Sequence, residues 1–155
     1  MSTASIIDMG NRSSSVQETL GRFTQLFNSL CAGDMAGLSS VYSDNVRFTD
    51  PFSSVEGIDE LTEYFAGAYA NVISCGFDFG EPVISGENVC IPWVMHLQHR
   101  RIRKGKPVKV DGISQLAIRN GHVAFHRDYF DAGQLLYENL PVMGGVIRWI
   151  RNQAG

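Results

Sequence analysis

The hydrophobic period of this chain changes near Ser74, and that change restricts the possible folds more than any single motif does. Before it, Leu20, Phe23, Phe27 and Leu30 recur at three- and four-residue steps, which lays an apolar stripe along one face of a helix. Gly33 ends that helix, and Asp34 is placed to cap a second one carrying Leu38 and Val41. Val46 to Thr49 reads as a short strand cut off by Asp50-Pro51, since a residue before proline is driven out of helical backbone and proline cannot continue a ladder. A third amphipathic helix follows Gly57, with Ile58, Leu61, Tyr64, Phe65 and Tyr69 on its apolar side. After Ser74 the period is two. Phe77 and Phe79 begin one strand, Val89 to Arg101 makes a second, Pro107 to Ile118 a third and His122 to Phe130 a fourth. Asn120-Gly121 joins the last two as a tight turn. Helices followed by a run of long strands make an α+β domain.

The two ends differ from this middle. Residues 1–15 are rich in Ser and small polar groups without usable periodicity, so a flexible segment is expected there. Residues 132–155 return to helix, with Leu135, Leu136, Leu140, Val142, Met143, Val146, Ile147, Trp149 and Ile150; Pro141 and Gly144-Gly145 break it into short pieces. The expected organisation is thus one domain over 16–131, preceded by a loose segment and followed by a helical extension.

Charge and cysteine usage bound the partners. A formal net charge of -3 gives nucleic acid no general electrostatic reason to bind. The one basic run, Arg100, Arg101, Arg103, Lys104, Lys106 and Lys109, surrounds Gly105-Lys106-Pro107 and reads as a solvated hairpin tip, an anionic partner being the lesser alternative. Cys31, Cys75 and Cys90 lack paired or metal-like spacing, which suits reduced thiols in a cytoplasmic protein. No apolar run is long enough to span a membrane, and no secretory leader is visible.

Ionisable groups inside apolar runs mark the candidate site. In Phe125-His126-Arg127-Asp128-Tyr129-Phe130-Asp131, strand alternation points His126 and Asp128 the same way, with Ala124 and Phe130. An acid and an imidazole on such a face cost desolvation energy unless they are paired or turned into a cavity. Asp128 is therefore a structural ion pair or a cavity acid; His126 is a satisfied core histidine or a proton-holding partner of Asp128. Asp50 either accepts backbone N–H groups in a turn or serves as a general base on a C–H or a water. Alternation also groups Trp93, Met95, Leu97 and His99 on one face of the second long strand and His96, Gln98 and Arg100 on the other. Phe27, Phe48, Tyr64 and Phe65 are expected in cavity wall or core. His96 with His99, or His126 with Asp128, offers a metal at most a pair of ligands, so no metal is expected.

The order of Ala32-Gly33-Asp34, Tyr42-Ser43-Asp44, Phe48-Thr49-Asp50-Pro51-Phe52, Val55-Glu56-Gly57 and Arg127-Asp128-Tyr129-Phe130-Asp131 resembles the nuclear-transport-factor-2-like superfamily, closest to its SnoaL-like branch, over about Val16 to Asp131. The resemblance implies a cone-shaped, cystatin-like fold in which three N-terminal helices pack on a strongly curved antiparallel sheet around a mostly apolar cavity, commonly as a homodimer. Asp50 is similar to the proton-shuttling Asp before Pro of ketosteroid isomerase, whose oxyanion-holding positions correspond here to Leu26 and Ser114. Asp128 is similar to the second carboxylate of limonene-epoxide hydrolase, whose Arg and first Asp correspond to Met95 and Leu97. These correspondences turn Met95 and Leu97 inward, Trp93 with them, and put Val110, Gly112, Ser114 and Leu116 inside on the next strand.

The function this implies is binding of a small apolar molecule, with acid/base conversion by isomerisation, cyclisation or hydrolysis and no cofactor. Asp50, Asp128 and His126 are the catalytic candidates. Phe27, Phe48, Tyr64, Phe65, Trp93, Met95, Leu97, Ser114 and Phe130 are the pocket candidates. A non-catalytic module that binds a ligand or a protein stays open beside it. For the carboxy-terminal helices, a lid over the pocket, packing on their own domain and a dimer interface all stay open.

Overall fold

The apolar stripe becomes the buried side of helix α1 (Thr3–Phe27), where Val16, Leu20, Phe23, Leu26 and Phe27 all lie in the core. Each such side chain contributes about 1.5–3 kcal/mol on burial, enough to hold the helix against the sheet. The structure, a computed structural model, describes residues 3–33, 35–136 and 143–154. Helix α1 runs through the segment expected to be loose, although residues 9–14 are exposed. Extending a helix from an anchored turn costs far less than starting one, so weak local periodicity does not end it.

Two 3-10 turns, Leu30–Ala32 and Met35–Gly37, and a short helix α2 (Leu38–Val41) stand where a single second helix was expected. The residue proposed to cap it, Asp34, lies outside the described residues. Strand β1 (Tyr42–Thr49) starts at Tyr42 rather than Val46. After it come β2 (Ser54–Glu56), α3 (Ile58–Tyr69), β3 (Val72–Phe79), β4 (Val83–Ser85), β5 (Asn88–His99), β6 (Val108–Arg119), β7 (His122–Phe130), α4 (Ala132–Leu135) and α5 (Met143–Ala154). Asn120 and Gly121, with φ of 51° and 74°, form the expected turn between β6 and β7. Arg22 of α1 donates to the Gly121 carbonyl at 2.6 Å and ties the helix to that turn.

The sheet corrects the fold expectation. Its order is β2-β1-β7-β6-β5-β3, with β4 on β5, and β1 runs parallel to β7. The sheet is therefore mixed, not antiparallel throughout, and it is neither strongly curved nor closed. The physical reason is one of range. Consecutive strands joined by tight turns must pair antiparallel, as β5, β6 and β7 do. Strand β1 meets β7 across nearly the whole intervening chain, so no local turn dictates its direction.

A bulge makes a second correction. In the β6–β7 ladder Ala117 pairs with Phe125 and Ile118 with Val123, leaving Ala124 as the extra residue. Fully buried Val123, not Ala124, precedes His126 on the inner face. The inner faces of β5 and β6 follow the alternation read from the sequence, with Trp93, Leu97, Val110, Ser114 and Leu116 buried. Leu140, Pro141 and Val142 of the tail lie outside the described residues. Helix α5 exposes Val146, Trp149 and Ile150, and its Arg151 pairs with Asp131 at 3.7 Å. No described helix is long and apolar enough to cross a membrane.

Candidate functional site

Helices α1 and α3 and the inner faces of β3, β5 and β7 line a partly open cavity of about 260 Å³. This is near the lower end of ligand pockets and leaves room for roughly eight to twelve non-hydrogen atoms, judged from the ~30 Å³ a water takes in the liquid. Helix α3 follows Gly57, whose φ of 87° turns the chain out of β2. Glu60 reaches back to accept the Glu56 N–H at 3.0 Å and steadies the first turn. One face of α3 then carries Tyr64, Phe65, Ala68 and Tyr69 onto the cavity.

Asp128 enters from β7 at the end of a buried polar chain. Trp93 Nε1 donates to Ser114 Oγ at 2.9 Å, and Ser114 Oγ donates to Asp128 Oδ1 at 2.5 Å. His126 Nε2 lies 2.6 Å from the same Oδ1, and Tyr42 Oη lies 2.7 Å from His126 Nδ1. The serine donation makes Oδ1 an acceptor, so Nε2 carries the imidazole proton and Nδ1 accepts from the tyrosine. Every donor in the chain points toward Asp128. Burial, then the nearby Asp128 charge, holds the Tyr42 hydroxyl well above the usual tyrosine range, which keeps it protonated and donating. Among the described residues no partner falls to Asp128 Oδ2, and the side chain, 15% exposed, belongs to the cavity lining.

His126 itself is fully buried and does not line the cavity. Phe23, Phe27 and Phe48 meet its ring edge-on with centroids 5.2, 5.8 and 4.9 Å away, and Tyr42 stacks parallel to it. It can position Asp128 and polarise it, but it cannot touch a guest.

Asp50 is the second acid of the lining, and both its oxygens are engaged. Oδ1 accepts the Phe52 and Ser53 N–H groups at 2.8 and 2.9 Å, the turn that Asp-Pro favours. Oδ2 accepts the Tyr64 hydroxyl at 2.5 Å. Burial first, then that bond to Asp50, raises the Tyr64 hydroxyl well above its ordinary value, so its proton stays committed to the carboxylate.

Of the residues expected at the pocket, Phe27, Phe48, Tyr64, Phe65, Trp93, Met95, Leu97 and Phe130 line the cavity with Asp50 and Asp128. Ser114 is buried behind the wall, between Trp93 and Asp128. The expectation missed Phe52, Tyr69, Val72, Cys75, Phe77, His99, Ile102, Leu135 and Leu136 of the lining. It also missed Tyr42, which shares strand parity with Phe48 and becomes legible once β1 begins at residue 42. Cys75 is pushed up to about 12, chiefly by burial, so its thiol is unreactive at neutral pH. Burial, then Arg101, lowers His99 below its usual value and leaves it neutral. Asp131 of the same motif accepts the Gly133 and Gln134 N–H groups and caps α4 instead of facing the cavity. Among the described residues, no three His, Cys, Asp or Glu side chains gather closely enough to hold a metal ion.

A family described as a SnoaL-like domain matches residues 21–126. No curated protein sequence matches the chain. Among solved structures, the chain is similar to an NTF2-like protein of unknown function from Burkholderia pseudomallei, at 15% identity and a TM-score of 0.69, over 79% of this chain and 95% of that one. It is also similar to a candidate SnoaL-like polyketide cyclase from Jannaschia, at 18% identity and a TM-score of 0.65, over 76% and 86%. A third is a protein with a ketosteroid-isomerase-like fold from Catenulispora acidiphila in complex with trimethylamine, at 14% identity and a TM-score of 0.67, over 76% and 91%. Likeness at these identities speaks for the fold alone.

Proposed function

Because the chain belongs to the SnoaL-like domain family, we propose that it binds a small, mostly apolar molecule in this cavity and moves a proton on it through Asp128. The family is related to NTF2-like proteins that bind or convert small molecules in a hydrophobic cavity. One observation carries the reading: Asp128 is clamped at Oδ1 by Ser114 and His126, while Oδ2 has no partner among the described residues and the side chain lines a mostly apolar cavity. A carboxylate fixed in this way is a positioned general base, a role that contributes typically 10²–10⁴-fold. Tyr42, His126, Ser114 and Trp93 act as positioning residues. Asp50, with both oxygens engaged, shapes the electrostatics of the wall.

The probe is 5-nitrobenzisoxazole, a compact apolar carbon acid whose C–H proton goes to the base as its N–O bond breaks to a coloured phenolate. We expect turnover above the free-acetate rate, reduced about 100-fold or more in Asp128→Asn and only a few-fold in Asp50→Asn. Equal rates in the Asp128→Asn and wild-type proteins would end the assignment of Asp128 as base. A second reading, a binding module without chemistry, is favoured by the lining's shortage of donors for a growing oxyanion: Tyr64 and Trp93 spend theirs on Asp50 and Ser114. Binding of the probe without turnover would select it.

A further inference from the structure

The electrical balance of the cavity points to the class of its guest. Asp50 and Asp128 both reach the lining, and among the described residues neither is paired with a Lys or Arg. The one basic side chain of the lining, His99, is held neutral by burial and by Arg101. The adjacent basic hairpin sends only His99 and Ile102 to the wall. The partner of Asp128 is the His126 imidazole, 2.6 Å from Oδ1 and bonded to Tyr42 through its other nitrogen. Two carboxylates lining an apolar cavity without a Lys or Arg partner are unusual, because buried charge is normally paired.

The hydrogen-bond inventory agrees. Tyr64 spends its hydroxyl on Asp50, Trp93 its N–H on Ser114, and Tyr69 is bonded to Cys75. What remains for a guest is an open carboxylate oxygen, Asp128 Oδ2, the rings of Phe27, Phe48, Phe65, Phe77 and Trp93, and one neutral donor, the Nε2–H of His99, whose Nδ1 accepts the Arg101 N–H. Acceptors and aromatic faces suit a positive charge and repel an anion. To a neutral guest whose polar group is a carbonyl the lining offers only the His99 N–H.

We infer that the guest of this cavity is a hydrophobic ammonium, a compact apolar body bearing one positive charge, seated between the carboxylates of Asp50 and Asp128 and the aromatic wall. The volume of about 260 Å³ limits it to a single ring or a short branched chain. The inference rests on the cavity being a ligand site, and it does not depend on whether Asp128 performs catalysis.

Three probes of nearly equal size separate the possibilities by calorimetry on the full chain at ~0.15 M salt: benzylammonium, benzyl alcohol and benzoate. Benzylammonium is expected to bind at least about tenfold tighter than benzyl alcohol, with no binding of benzoate. Asp50→Asn and Asp128→Asn should each cut that preference several-fold. Asp44→Asn, an exposed acid outside the cavity, should leave it intact. Should one cavity variant not fold, the other still reports. Equal or tighter binding of the alcohol, or a preference unchanged in both cavity variants, would overturn the charge inference while leaving the cavity a ligand site. Failure of all three probes to bind would overturn both.

Discussion

Trp93 owes its position to a side chain that is missing across the ladder. It pairs with Gly112 on β6, and its six-membered ring lies on that glycine so closely that any Cβ there would overlap the ring carbons. Beyond Gly112 the same row continues to Phe130, whose ring centroid is 6.1 Å from that of Trp93. Gly112→Ala should therefore push the indole off Ser114, destabilise the fold by about 1–3 kcal/mol and shift the tryptophan emission; urea melts and fluorescence read both. Tyr42 gives a cleaner test of the polar chain. Tyr42→Phe keeps the ring stacked on His126 but strands Nδ1 without a donor, which should cost about 1–3 kcal/mol in a urea melt. A melt unchanged in Tyr42→Phe would mean that the buried imidazole finds another partner.

Among the elements, α3 and β7 build the site, and each does so through a local departure from regularity. Gly57 turns the chain so that α3 can lay Tyr64 over Asp50, and the bulge at Ala124 re-phases β7 so that Val123 and His126 both face inward. Helix α5 is exposed over most of its length from residue 145. Its Val146, Trp149 and Ile150 are exposed, and a surface ion pair between Arg151 and Asp131, a kind worth about 0–1 kcal/mol, joins it to the body. Removal of residues 143–155 should accordingly change stability by less than about 1 kcal/mol, measured by denaturant melts of the shortened chain. A larger loss would place the helix in the folding core.

For the whole molecule, buried protonated acids set the response to alkali. Burial raises Tyr42, Tyr64, Tyr69 and Cys75 above their ordinary values. In the unfolded chain the same groups ionise at lower pH, so the stability they contribute is fully present below about pH 8.5 and is lost as pH rises through about 9 to 12. Denaturant melts at about pH 8 and about pH 11 should show a marked fall, and Tyr64→Phe should soften it. The expected homodimer belongs to this scale too. Ile113 and Tyr129 are cross-strand partners on the outer face, 38% and 46% exposed, and Arg127 lies over the Tyr129 ring. Ile113→Glu is expected to convert a dimer to a monomer in sedimentation; an unaltered sedimentation profile would put any interface elsewhere.

Much of this was legible in the residues alone. The period change near Ser74, the Asn120-Gly121 turn, the stripe of Leu20, Phe23 and Phe27, and the shared face of Trp93, Met95 and Leu97 are local properties, carried by spacing and turn chemistry; that this face turns inward came from the family resemblance. Asp50 and Asp128 were legible as acids that need either a structural partner or a cavity, since ionisable groups in apolar runs must find a partner or a void; which of the two was left open. Tertiary structure decided what spacing cannot encode: that β1 lies parallel beside β7, that Tyr42 thereby reaches His126, and that His126 sits behind the wall and not in it. Pairing between segments some eighty residues apart depends on how the whole chain packs. No local pattern could assign those contacts, or show that two acids share one cavity.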